Sequence, residues 1–277
     1  MRDISFPGGE TVPVLGQGTW MMGERPERRR EEIDALRLGV SLGMALVDTA
    51  EMYGEGATER LVGEALDGLR DEVFLVSKVY PHNASRRGVI AACERSLERL
   101  RTDRLDLYLL HWRGDVPLEE TIAGFETLRQ AGKIRHWGVS NFDVDDMETL
   151  FDAPGGNACA TNQVLYNLAR RGPDYDLTPW LAERGMPMMA YSPIEQGRLE
   201  TRGVLSEIAR AHHVEPLQIA LAWVLHRPGV IAIPKASSAA HVRANRAAHD
   251  IDLSTEELAL LDHHFEAPSR KRPLEML

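Results

Sequence analysis

The feature that most constrains this chain is the regular alternation of short apolar runs with segments of helical period. Eight runs read as strands: Val14–Thr19, Ala45–Asp48, Val73–Lys78, Leu105–His111, His136–Val139, Cys159–Val164, Pro187–Tyr191 and Val230–Pro234. Most are nearly continuous in apolar residues, as in parallel strands covered by helices, although pattern alone does not separate such short runs from helix fragments. Between them, Ile33, Leu36 and Val40 repeat at helical spacing, with Gly43 placed as a stop. Val89, Ile90, Cys93, Leu97 and Leu100 form a second stripe; Ile122, Phe125 and Leu128 form a third, closed by Gly132. Ser254 and Glu257 make a capping box ahead of Leu258 and Leu261. With no linker or compositional break, this order predicts an α/β fold, a (β/α)8 TIM barrel, with residues 1–277 as one domain. Ile4–Phe6 and Thr11–Pro13, around Pro7-Gly8-Gly9, predict a short β-hairpin ahead of it.

Charge and composition narrow the function classes. The formal net charge of −10 argues against nucleic acid or an anionic membrane as partner, since both need basic surface. An anionic ligand would require a local cluster of Lys, Arg or backbone N–H groups. The opening MRDISFPGGETVP lacks a basic start followed by an apolar run, and no stretch approaches the roughly 20 apolar residues that span a bilayer. The cytoplasm is the expected compartment. Cys93 and Cys159 lie far apart without metal-type spacing, and Cys93 reads as a core residue. The pairs His212-His213 and His263-His264 point in different directions if helical and have no acidic or cysteine partner at ligand spacing, so no metal site is expected. Arg25–Glu32 reads as a solvated mixed-charge face. Met22, Met186, Met188 and Met189 read as packing residues; Met21 follows Trp20 and could line a pocket.

In a barrel of this kind, catalytic residues sit at the C-terminal ends of the strands. Asp48, Lys78 and His111 each end a predicted strand, and Tyr53 follows Asp48 in the next loop. Singly these residues are ordinary: a turn aspartate, a solvated lysine, a core histidine, a surface aromatic. Together they suit the reduction of a carbonyl, which needs a hydride at carbon and a proton at oxygen. Side chains supply no hydride, so a nicotinamide must. A phenol, with an unperturbed pKa of about 10, can supply the proton if a neighbouring lysine stabilises its anion. A carboxylate keeps that lysine charged, and a histidine can polarise the carbonyl.

The stretch DTAEMYGEGATERLVGEAL, followed by FLVSK, LDLYLLHW, GKIRHWGVSNF, TNQVLYN, MAYSP and AIPKAS, resembles the aldo-keto reductase family from end to end. It looks most similar to the bacterial branch that includes methylglyoxal reductases. The resemblance implies that Asp48, Tyr53, Lys78 and His111 form the catalytic tetrad. It also implies that Ser140, Asn141 and Gln163 hold the nicotinamide carboxamide and that Tyr191 stacks on its ring. Thr19 and Trp20 border that region, and Ser192, Pro193 and Ile194 begin the pyrophosphate-side loop. Lys235 would approach the 2′-phosphate of NADPH, with Ala236, Ser237, His241 and Asn245 lining the same end. Here the chain departs from the family pattern: His241 replaces the usual arginine and Ala244 the usual acidic or amide residue. That loss predicts NADPH held less tightly, unless Arg243 compensates. Gly16-x-Gly18 lacks a third glycine and a later acidic residue, so it is no dinucleotide fingerprint.

The segment after Tyr191 and the tail after Phe265 are short. An open pocket framed by Trp20, Tyr53, Tyr80, His111 and Trp112 is therefore expected, suited to small aldehydes or dicarbonyls such as methylglyoxal. The expected partner is that small carbonyl substrate, and the expected state a monomer. Two rival readings stand beside this one: a cofactor-binding regulatory module of the same fold with little turnover, and a metal-dependent barrel hydrolase.

Overall fold

The alternation seen in the sequence becomes a ring of strands inside a ring of helices. The computed structural model describes residues 1–277. A hairpin of β1 (Asp3–Ser5) and β2 (Thr11–Pro13) leads into β3 (Gln17–Gly18), α1 (Arg29–Ser41), β4 (Leu46–Asp48), α2 (Ala57–Ala65) and β5 (Phe74–Val79). The order continues through α3 (Arg86–Leu100), β6 (Leu105–Leu110), α4 (Leu118–Gln130), β7 (Ile134–Ser140), α5 (Val144–Asp152) and β8 (Asn162–Leu165). It ends with α6 (Leu177–Glu183), β9 (Met188–Tyr191), α7 (Val204–His212), α8 (Pro216–His226), β10 (Val230–Ala232), α9 (Ala239–Ala248) and α10 (Thr255–His264).

Strands β3 to β10 pair in parallel in chain order. Parallel bridges Leu15↔Ala232 and Gly18↔Lys235 join the last strand to the first, so the eight-stranded barrel predicted from the sequence is the fold observed. The predicted strand Val14–Thr19 shortens to Gln17–Gly18 because the chain crosses between two neighbours at this seam. Glycines make that crossing possible. A Cβ on Gly16 would lie 2.8 Å from the Leu46 carbonyl oxygen, and one on Gly18 would lie 2.7 Å from that of Ile233. The glycine pair thus serves barrel closure.

The barrel interior holds Leu46, Phe74, Val76, Leu107, Leu109, Ala160, Met189, Ile231 and Ile233, with Phe6 and Val12 of the hairpin region packed among them. Successive side chains of a strand point to opposite faces. Leu46 therefore shares its face with Asp48, Phe74 and Val76 with Lys78, and Leu107 and Leu109 with His111. Met189 likewise leads to Tyr191, and Ile233 to Lys235. The residues that fill the barrel and those that line its mouth belong to the same alternation. A larger apolar layer, including Leu36, Val89, Cys93, Leu97, Phe125 and Leu128, packs the helices onto the outer strand faces.

Several local expectations are met. Ser254 Oγ accepts the Glu257 N–H at 3.2 Å, and Glu257 Oε2 accepts the Ser254 N–H at 2.8 Å, which completes the capping box. Cys93 and Cys159 are buried and free. His212 bonds Glu257 at 2.8 Å, and His213 ends α7 in a left-handed conformation. One expectation is corrected. Glu32, read as part of a solvated face, is 2% exposed and accepts the Gly23 N–H at 2.8 Å. Its helical position beside Ile33, Ala35 and Leu36 turns it inward while Arg30 and Glu31 remain outside. No helix is long and apolar enough to cross a membrane.

Candidate active site

Three groups converge on Lys78. Its Nζ donates to Asp48 Oδ2 at 2.7 Å, to the Thr49 carbonyl at 2.9 Å and to Tyr53 Oη at 3.1 Å. The lysine is fully buried, and Asp48 is nearly so. Asp48 is held from two further sides: Gln163 Nε2 donates to Oδ1 at 2.8 Å, and Thr19 Oγ1 donates to its carbonyl at 2.8 Å. Tyr53 reaches this cluster because the chain after it coils through Gly54 (φ 53°), Glu55 (φ 51°) and Gly56 (φ 85°) before α2 begins. Such a left-handed run costs little where two of three residues are glycine. His111 follows β6, its ring 5.9 Å from that of Tyr53.

The electrostatics of the four groups differ. Burial opposes the Lys78 charge, but Asp48 and Tyr53 more than offset it and raise its pKa, so the ammonium persists. For Tyr53, burial pushes the phenol up and Lys78 pulls it back, with the balance above the ordinary value. The lowering expected from the sequence is thus reversed in the protein alone, because desolvation of a phenolate outweighs one shared lysine. The phenol holds its proton at neutral pH. Burial, then Lys78, drives the His111 pKa well below its usual value, so the imidazole is neutral. Its Nδ1 is buried without a hydrogen-bond partner, and Trp112 and Tyr53 pack beside the ring.

The residues implied as carboxamide ligands form one network with the tetrad. Ser140 Oγ donates to the Gln163 carbonyl at 2.8 Å, and Asn141 Nδ2 donates to the His111 carbonyl at 3.1 Å. Tyr191 Oη donates to Asn141 Oδ1 at 2.9 Å. Asn141 is left-handed at φ 59°, a conformation asparagine tolerates better than most residues. Thr19 is fully buried beside Asp48, while Trp20 stands at the rim, 42% exposed and edge-on to Tyr53 at 4.8 Å. Tyr80 and Trp112 complete the rim, 5.8 Å apart. Ser192, Pro193 and Ile194 leave β9 along one side. Lys235, Ala236 and Ser237 follow β10 on the next, with Ser238 capping α9 through the His241 N–H at 3.4 Å. His241 is exposed, and Asn245 is buried one turn further along.

Sequence reasoning missed the groups that hold these loops. Glu51 accepts the Tyr80 N–H at 2.8 Å and Asn83 Nδ2 at 2.9 Å, fixing one rim segment. Asn167 donates to the Ser192 carbonyl and to Glu195 Oε2, both at 2.9 Å, and Arg170 pairs with Glu195 at 3.0 Å. They restrain a turn in which Ser192, Glu195 and Gln196 are all left-handed. Their partners lie 25 to 32 residues away, and no local pattern announces such pairs. The donor set suits a dinucleotide: amides, hydroxyls and an aromatic ring near the tetrad, and an ammonium free of ion pairs beside a helix N-terminus at the far end.

The family model that matches this chain, over residues 14–266, is described as the aldo/keto reductase family. The chain is 54% identical to methylglyoxal reductase YeaE of Escherichia coli (strain K12), over 99% of this chain and 98% of that protein. It is 32% identical to glyoxal reductase of Bacillus subtilis (strain 168), covering 94% of this chain and 91% of the relative. A crystal structure of an aldo-keto reductase from Klebsiella pneumoniae in complex with NADPH superposes with a TM-score of 0.97 at 50% identity, covering both chains in full.

Proposed function

The chain belongs to the aldo/keto reductase family, and from that premise we propose that it is an NADPH-dependent oxidoreductase reducing small aldehydes and dicarbonyls of the methylglyoxal kind to alcohols. The observation that carries this reading is the protonated Tyr53 hydroxyl, 3.1 Å from a buried Lys78 ammonium at the barrel mouth. When bound, NADPH supplies the hydride. Ser140, Asn141, Gln163 and Tyr191 are positioned to orient its nicotinamide. Thr19 and Trp20 border the ring, Ser192, Pro193 and Ile194 run along the diphosphate side, and Lys235, Ala236, Ser237, His241 and Asn245 line the 2′-phosphate end.

The chain's own groups handle the proton. Neutral His111 donates to the substrate carbonyl oxygen and fixes its direction. As negative charge grows on that oxygen, Tyr53 Oη passes its proton to it. The phenolate left behind is stabilised by Lys78, which Asp48 keeps charged and in place. Before transfer, burial keeps the proton on the phenol. Afterwards the adjacent ammonium limits the cost of its departure.

The rim, with Trp20 exposed and Tyr80 and Trp112 half-buried, supports a small, weakly enclosed substrate over a bulky one. The reading also has the protein working as one domain and a monomer in the cytoplasm, with its two free buried thiols compatible with a reducing compartment. The test is steady-state reduction of methylglyoxal and simple aldehydes with NADPH and with NADH. Tyr53→Phe should lower kcat by about 10² to 10⁴. Near-native kcat in that variant would remove Tyr53 as the proton donor.

A further inference from the structure

The phosphate end of this cofactor site lacks a cation at position 241, and the fold offers one from another loop. Arg243, the nearest arginine in sequence, is a poor substitute. It lies about 200° around α9 from His241 and is exposed, whereas Val242, Asn245 and Ala248 are buried. The loop between β3 and α1 is placed differently. The bridge Gly18↔Lys235 lays β3 directly against the segment that carries Lys235, so the chain leaving β3 passes that lysine. Helices α1 and α9 both follow parallel strands and run side by side. At their C-terminal ends, Arg246 Nε donates to the Leu42 carbonyl at 3.3 Å. Their N-terminal ends consequently meet at the barrel mouth, where Arg25 and Arg28 open α1 and Lys235–Ser238 open α9.

The charges around Lys235 agree with that placement. Burial lowers the Lys235 pKa, Glu32 opposes this, Arg28 and Arg25 lower it further, and Glu24 more weakly raises it. Glu32 and Glu24 lie near the cluster, but neither forms an ion pair with Arg25, Arg28 or Lys235. Glu32 is committed to the Gly23 N–H at 2.8 Å. Arg28 meets Glu31 only at an exposed 3.4 Å, and Arg25 makes no ion pair. Arg28 and Arg25 therefore stand near enough to Lys235 to repel its ammonium, and a dianion placed among the three cations relieves that repulsion.

We propose that Arg25 and Arg28 join Lys235 in binding the 2′-phosphate of NADPH, supplying from the β3–α1 loop the guanidinium that position 241 lacks. Guanidinium groups suit this role because their planar fork matches phosphate oxygens. The pair sets the preference for NADPH over NADH. The same loop carries Trp20 at the substrate rim and is anchored by Glu32, so phosphate binding also steadies one wall of the substrate site. This inference rests on the cofactor assignment above.

The experiment is isothermal titration of NADPH and NADH into the wild type, Arg25→Ala/Arg28→Ala, Lys235→Ala and Arg243→Ala, at low and high salt. The double variant should weaken NADPH binding by about tenfold, leave NADH binding unchanged, and flatten the salt dependence of NADPH affinity. Arg243→Ala should match the wild type. Equal losses for both cofactors would mean a collapsed loop and would overturn the proposal. So would an unchanged NADPH affinity in the double variant while Lys235→Ala is weakened. If the wild type bound neither cofactor, the underlying reading itself would fail.

Discussion

Replacing Lys78 by methionine separates the structural role of the buried charge from its chemical one. The substitution keeps the length and apolar stem of the side chain but removes an ammonium with three protein partners, one of them Asp48 at 2.7 Å. Asp48 would retain Gln163 on Oδ1 and lose its cation on Oδ2, within a side chain only 3% exposed. Breaking a buried ion pair from one side costs about 3–5 kcal/mol. At roughly 2–4 °C per kcal/mol for a chain of this size, the melting temperature should fall by about 6–20 °C. Lys78→Met/Asp48→Asn removes both charges and should melt well above the single variant, because no uncompensated carboxylate remains. Thermal unfolding followed by circular dichroism at pH 7 reads both values. Both variants should lack reductase activity, whatever their stability. A single variant melting within 2 °C of wild type, or a double variant no more stable than the single, would refute the charge-pair reasoning.

Two further outcomes follow from the same geometry. His111 has a folded pKa well below its unfolded value of about 6.5. Above that pH both states are neutral; below it the unfolded chain takes a proton that the folded chain refuses, so stability falls as pH falls toward the depressed value. Melting curves between pH 7.5 and 5.5 should show a smaller loss in His111→Asn than in wild type, and parallel curves would contradict the assignment. Arg170→Ala leaves Glu195 with Asn167 alone and should loosen the left-handed turn at 192–196. NADPH dissociation, measured by stopped-flow fluorescence, should quicken a few-fold with the melting temperature nearly unchanged, since the guanidinium is 35% exposed. An unaltered dissociation rate would detach this clamp from cofactor binding.

Much of the site was legible because it follows from alternation and strand ends, both local properties. Asp48, Lys78 and His111 close apolar runs whose inward residues also fill the barrel, so one period-2 pattern announces the core and the catalytic face together. Tyr53 follows Asp48 in the next loop, and the family motifs then implied the roles of these four residues and which others face the nicotinamide. What stayed hidden depends on partners far apart in the chain. Arg170 and Glu195 are 25 residues apart, as are Asn167 and Ser192, and Glu51 reaches across to Tyr80 and Asn83. Glu32 was misread because a charged run resembles a solvated face until the packing of α1 turns one of its carboxylates inward.

The sequence by itself determined the barrel, the order of its strands and the residue types at its mouth, since these rest on periodicity and on chain neighbours. Only the tertiary structure decided the protonation of the site, because desolvation depends on everything packed around a group. Burial reversed the shift expected for Tyr53 and neutralised His111. It also decided which arginines stand beside Lys235, since β3 and β10 meet only when the ring of strands closes.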